Sequence, residues 1–196
     1  MAGQRVPAKC IRWLALRGPR HFCRGLFAVG ADLKSPHFLR ASNNVRQMRA
    51  NLVVVLSPDE LKVIDDEISK NAAQLFKLGA SHYNFAKRQN ARAWRQTVSR
   101  LYYAAYNISR AIRLWVKGEF ATDVGDHKKV DLPDDFPDRN TYSNRLSALR
   151  EDRNLCDYDH TARSRDLIED VADWIKFVTK FQRDAREYLR SRGVLL

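Results

Sequence analysis

The chain lacks the features that define several protein classes. Nowhere in its 196 residues do about 18 apolar residues follow one another, because Arg or Lys breaks each hydrophobic run, so no transmembrane helix and no membrane partner are expected. Three cysteines, an odd number at irregular spacing, form neither a disulfide framework nor a zinc-ligand pattern. The compartment expected is therefore a reducing cytoplasm. No internal period marks a repeat array. No Gly-rich phosphate loop or paired-carboxylate arrangement stands out, and the expected cofactor set is none. Acids are scarce in two places: residues 1–50 contain only Asp32, and none occurs between Glu67 and Glu119.

What is present is a strongly basic chain with enough apolar material for a core. Lys and Arg number 35 against 23 Asp and Glu, a net charge of +12, while 44% of residues are hydrophobic and four are tryptophan. That composition excludes wholesale disorder and fits one domain with an appendage. Most of the charge lies in the appendage, since residues 1–50 alone carry +9. This segment has no steady helical or strand period, and Pro7, Gly18, Pro19, Gly25, Gly30 and Pro36 are scattered through it. It reads as a disordered basic extension, residues 1–50, before a helical domain over 51–196. Its basic groups suit a nucleic-acid-binding arm, and its Arg-rich, acid-poor composition also resembles a transit peptide. It lacks the clean apolar region of a secretory signal. A start of translation at Met48 is the remaining alternative.

From Ser57 the pattern becomes helical. Ser57-Pro58-Asp59-Glu60 supplies a cap, a proline at the first helical position and a capping-box glutamate. Leu61, Ile64, Ile68, Ala72, Leu75 and Leu78 then follow as an apolar stripe, which Gly79 is expected to kink or interrupt. Trp94, Val98, Leu101, Ala105, Ile108, Ile112 and Trp115 step by four and three residues and predict a second helix. Gly125, Pro133 and Pro137 mark a loop. A third helix is predicted from Asp138 or Arg139 through Tyr142, Leu146 and Leu149 towards Arg153. A fourth, after His160, carries Leu167, Val171, Trp174, Val178, Phe181, Ala185 and Tyr188. Apart from the short apolar run Leu52 to Leu56, no strand pattern competes. The fold class is therefore all-α, an antiparallel four-helix, up-and-down bundle.

The acid-free stretch includes ten basic residues. At 100° per residue, Arg92, Arg95, Tyr103, Tyr106, Arg110, Arg113 and Lys117 share one broad side of the second helix. Cations with tyrosines between them suit single-stranded RNA, phosphates on the cations and bases on the rings. The competing reading is internal: residues 119–173 hold 15 acids and 8 bases, which can pair with this helix in the same chain or in a dimer mate.

The segment Leu149-Arg-Glu-Asp-Arg-Asn-Leu-Cys-Asp-Tyr-Asp-His160 holds the residues best suited to chemistry. Tyr142, Leu146, Leu149 and Arg153 share a face, so Arg153 is expected to project from the end of the core stripe. An imidazole can exchange a proton with a ribose 2′-hydroxyl or a leaving oxygen near neutral pH, and a guanidinium can hold phosphoryl oxygens through two parallel hydrogen bonds. Asp157, Asp159 and His160 are a weaker metal-site candidate, lacking a distant fourth ligand. Asp159 is expected to cap the fourth helix. His127 falls in the long loop, His82 is expected to pack against the first helix, and Cys156 reads as a small buried residue rather than a nucleophile.

Two of these passages carry a resemblance. From about residue 70 onward the chain resembles the HEPN superfamily of small helical, RNA-associated domains. Ser99-Arg-Leu-Tyr-Tyr-Ala-Ala-Tyr106 looks like that family's Arg/Tyr-Tyr-Ala signature, and Arg153-Asn154 with His160 six residues further on is similar to its ribonuclease motif. The resemblance implies a homodimer in which two such motifs form one composite, metal-independent endoribonuclease site. Arg153 would bind the scissile phosphate, His160 would do acid/base work and Asn154 would orient one or both. A toxin or phage-defence context, with an antitoxin or regulatory protein as partner, is implied as well. Two details keep a rival open, a non-catalytic HEPN-like module that binds nucleic acid, nucleotide or protein. Ala162 stands where the toxin pattern has a tyrosine, and Asp157-Tyr158 resembles members that look non-catalytic.

Overall fold

The computed structural model describes residues 44–119 and 131–196, and the elements in them are helices. They are α1 (Val45–Leu52), α2 (Pro58–Lys87), α3 (Trp94–Lys117), α4 (Arg139–Tyr158) and α5 (Val171–Arg190), with single 3-10 turns at Ala91–Ala93 and Ser164–Asp166. Among the described residues no helix is long and apolar enough to cross a membrane. The Leu52 to Leu56 run is no strand: it ends α1 and enters a turn that exposes Val53, Val54 and Val55.

The Ser57 capping box forms as the sequence indicates. The Glu60 carboxylate accepts from the Ser57 amide at 2.8 Å, and Ser57 Oγ accepts from the Glu60 amide. Helix α2 then runs unbroken through Gly79, contrary to the expected kink. The glycine serves close packing instead. A Cβ there would lie 2.8 Å from the Ala104 carbonyl oxygen and 2.7 Å from Ile108 Cγ1 of α3. The apolar stripe also departs from expectation after Ala72. It continues through Phe76, Gly79, Tyr83 and Ala86, while Leu75 is half-buried and Leu78 is 47% exposed. Each three-residue step falls about 60° short of a full turn. Two in succession therefore carry Leu78 off the core face, whereas alternating fours and threes stay on it.

Helix α3 is central and packs against α2, α4 and α5. Val98, Leu101, Ala105, Ile108 and Ile112 of the expected seam are fully buried. Contacts fix the directions of the long helices. Phe85 meets Arg100 and Gly79 meets Ile108, so α2 and α3 are antiparallel. Arg95 reaches the residues after α4 while Tyr103 meets Arg153, so α3 and α4 are antiparallel as well. Asp152 meets Trp174 and Tyr142 meets Phe181, which gives the same relation between α4 and α5. An aromatic group of Phe136, Tyr142, Phe177, Phe181 and Tyr188 fills one end of the core, with neighbouring ring centroids 5.0–5.9 Å apart along its contacts from Phe136 and Tyr142.

The packed body begins upstream of residue 51. Val45 is fully buried and its amide donates to the Gly118 carbonyl at 2.9 Å. Arg46 donates to the Trp115 carbonyl at 2.7 and 3.0 Å and lies over the Trp115 ring, and Arg49 grips Asp65. Two of the cations assigned to the extension by composition thus belong to the helical body. Gly118 makes the junction possible: its φ of 71° ends α3 in the left-handed region, and a Cβ would sit 2.5 Å from the Arg46 amide.

The last helix starts later than expected. It is preceded by Asp170 and begins at Val171, so Leu167 lies ahead of it and Asp159 is not its cap. Asp159 follows the end of α4, its carboxylate accepting from the Thr161 amide and hydroxyl at 2.8 and 2.7 Å. Twelve residues, 159–170, join the two helices, and the end of that segment is held from α4. Asp152, 1% exposed, accepts from the Ile168 amide and the Trp174 indole.

Candidate functional site

Helix α4 continues to Tyr158, so Arg153 and Asn154 lie within its last turns rather than beyond its end. The core stripe passes through Asp152 to Cys156, and Arg153 turns aside towards α3. There it becomes the centre of a polar and aromatic cluster. Nη2 donates to Tyr103 Oη at 2.9 Å, Nη1 donates to Asn154 Oδ1 at 3.1 Å, and Nε stands 2.8 Å from an Asp157 carboxylate oxygen. The rings of Tyr102, Tyr103 and Tyr158 surround the guanidinium carbon, with centroids 5.4–5.6 Å away. Ser99 Oγ donates to the other Asp157 oxygen at 3.0 Å. The Ser99–Tyr106 passage and the Arg153-Asn154 passage, far apart in sequence, therefore meet around one cation.

His160 stands apart from this arrangement. It is exposed in the turn after α4, and among the described residues neither a hydrogen bond nor an ion pair joins it to Arg153. An imidazole that does contact the cluster is His82, on α2 itself. Its ring centroid lies 5.8 Å from that of Tyr103, and Arg100 Nη1 lies 3.3 Å from its Nδ1. Partial burial, reinforced by the Arg100 charge, lowers its pKa and favours the neutral ring. Cys156 is buried, and burial pushes its thiol up to about 12, which removes it as a nucleophile near neutral pH.

No known protein family, curated protein or solved structure matches the chain.

The basic side expected on α3 is largely taken up within the chain. Arg95 donates to the carbonyls of Cys156, Asp159 and Ala162 at 2.6–2.8 Å and so satisfies the end of α4. Arg113 is 2% exposed beside Glu119, and Lys117 pairs with Asp131. Tyr103 is held by Arg153. Tyr106 stacks on Tyr102 and lies under Arg110. Arg92 is exposed, but in the 3-10 turn ahead of the helix. Intramolecular pairing thus accounts for Arg95, Arg113 and Lys117, because the residues that follow α3 and α4 bring carboxylates and free carbonyls to them. Among the described residues no group of three or more His, Cys, Asp or Glu is placed to hold a metal ion. Asp157, weighed earlier as a metal ligand, is the counter-ion of Arg153. His127 lies outside the described residues.

The sequence reading missed Asp157, Ser99 and His82 as parts of the cluster. Asp157 had a signal, since an acid four residues after an arginine shares its helix face. Ser99 and His82 had none, because their partners come from other helices.

Proposed function

We propose that this chain is a HEPN-like, RNA-directed module that acts as a homodimer, with the Arg153 cluster as its functional centre and binding rather than turnover as its activity. The observation that supports it is the meeting of the Tyr102-Tyr103 and Arg153-Asn154 passages around a single guanidinium. The antiparallel order of α2 to α5 agrees with the helical bundle of that superfamily. Binding is preferred over cleavage because, among the described residues, no hydrogen bond or ion pair joins His160, the acid/base candidate, to Arg153.

A second reading, the metal-independent endoribonuclease, is favoured by the exposure of His160 just beyond the helix that carries Arg153. In a dimer, two such histidines would face two such arginines across one groove. One experiment separates the readings. The full chain and its His160→Ala variant are incubated with mixed-sequence single-stranded RNA in excess EDTA, and both retention of RNA and fragments ending in 2′,3′-cyclic phosphate are measured. Salt-sensitive retention without fragments supports the binding module. Fragments from the parent, absent from the variant, replace it with the ribonuclease, and neither retention nor fragments from the parent defeats both.

A further inference from the structure

The cations of α3 that the sequence singled out are mostly spent inside the chain, but another acid-free face is not. From Ile68 to Gly118 the sequence contains no Asp or Glu. Within that stretch Lys77, Ser81 and Phe85 recur along the exposed side of α2, and Arg88, three residues further on, continues the row at the helix's C-terminal cap. They line a shallow depression of about 380 Å³. Arg100 of α3 reaches in beside them, its guanidinium 5.2 Å from the Phe85 ring centroid.

We propose that this face is the docking surface for single-stranded nucleic acid. Three observations carry it. Among the described residues, Lys77, Arg88 and Arg100 have no carboxylate partner, in contrast to Arg113, Lys117 and Arg153, each of which does. Phe85 is 47% exposed amid these cations, an arrangement that costs contact with water and leaves a ring on which a base can stack. The face also runs on to the Arg153 cluster, because His82 contacts both Arg100 and Tyr103, and Tyr103 holds Arg153. Lys77 and Arg88 are separated by about 16 Å along the helix axis, enough for more than one phosphate. A flat, ring-bearing cationic strip favours a single strand over a duplex, whose bases are stacked away from protein rings. An acidic protein partner would satisfy the charge but would leave the ring without a stacking role.

The inference rests on the RNA-directed reading above, and its test separates the two. Binding of a fluorescein-labelled, mixed-sequence single-stranded RNA to the full chain is followed by anisotropy at low and physiological salt. The parent is compared with the double variant Lys77→Ala/Arg88→Ala and with Phe85→Ala, after circular dichroism shows that each is folded. The double variant is expected to bind at least about tenfold more weakly and to lower the slope of log affinity against log salt by about 1.4, as two lost phosphate contacts require. Phe85→Ala is expected to weaken binding by about five- to hundredfold at an unchanged slope. A double variant that binds with the affinity and slope of the parent overturns this face while leaving the RNA reading intact. A parent that fails to bind RNA, or that prefers polyglutamate, overturns both.

Discussion

The carboxylate of Asp152 accepts a 2.7 Å hydrogen bond from the indole of Trp174, and both side chains are buried to within 1%. The same carboxylate takes the Ile168 amide at 2.8 Å, so one acid on α4 ties the start of α5 and the segment before it to the core. Removing it as Asp152→Ala would strand the buried Trp174 indole and free the part-buried Ile168 amide, at a cost of about 2–3 kcal/mol. Asp152→Asn keeps an acceptor and is expected to lose less. Chemical denaturation followed by tryptophan fluorescence measures both, and an unchanged midpoint for Asp152→Ala would mean that these bonds do not hold the segment.

Asp152 also shows where a sequence stops being informative. The stripe Tyr142, Leu146, Leu149 can reach Cys156 through residue 152 or 153, since a three then a four spans the same distance as a four then a three. Local spacing cannot choose, and apolarity gives no help between an acid and an arginine. The choice is made by Trp174 and Ile168 on one side and Tyr103 on the other, all remote in sequence. Features that depend on neighbours within one helix were legible: the Ser57 cap, the α3 seam and the start of α4. Features set between helices were not. The fates of Arg95 and Arg113 and the unbroken passage of α2 through Gly79 depend on what lies opposite.

Gly79→Ala tests that passage. Within an isolated helix, alanine is better than glycine by about 1 kcal/mol. Here the new methyl group would press on the Ala104 carbonyl, which is backbone and cannot swing away, as well as on Ile108. The clash is expected to outweigh the helical gain and leave a net loss of about 1–3 kcal/mol. Thermal and chemical denaturation would show it, and a stabilised variant would mean that the two helices separate at little cost.

The packing of α4 on α5 also makes the protein sensitive to acid. Tyr142 donates to Asp184 at 2.6 Å, and Lys180 approaches both. Burial, then the hydrogen bond to Asp184, pushes the Tyr142 phenol up to about 12, so it remains a donor. Partial burial of Asp184 opposes ionisation, but bonds from Tyr142, Lys180 and Arg183 outweigh it and leave its pKa lowered. A carboxylate with a depressed folded-state pKa stabilises the fold above its unfolded value of about 3.9, and that contribution disappears as pH falls through the folded value. The stability difference between the parent and Asp184→Asn should therefore be constant near neutrality and shrink below about pH 4. Denaturation curves across that range check the sign, and a difference that grows in acid would contradict it.

The sharpest test of the Arg153 cluster is to remove its counter-ion. Asp157 neutralises the guanidinium and receives Ser99, yet it lies at the exposed end of α4, so its loss should leave the core intact. If Arg153 faces bound RNA, Asp157→Ala frees a cation that Tyr103 and Asn154 still position. Affinity for single-stranded RNA should then rise several-fold at low salt, and the salt slope should steepen by about 0.7, the value of one added phosphate contact. In the double variant Asp157→Ala/Arg153→Gln the gain should vanish. Tighter binding that survives the loss of Arg153 would place the new contact elsewhere. Unchanged or weaker binding by Asp157→Ala would assign Arg153 to holding α3 and α4 together rather than to the ligand.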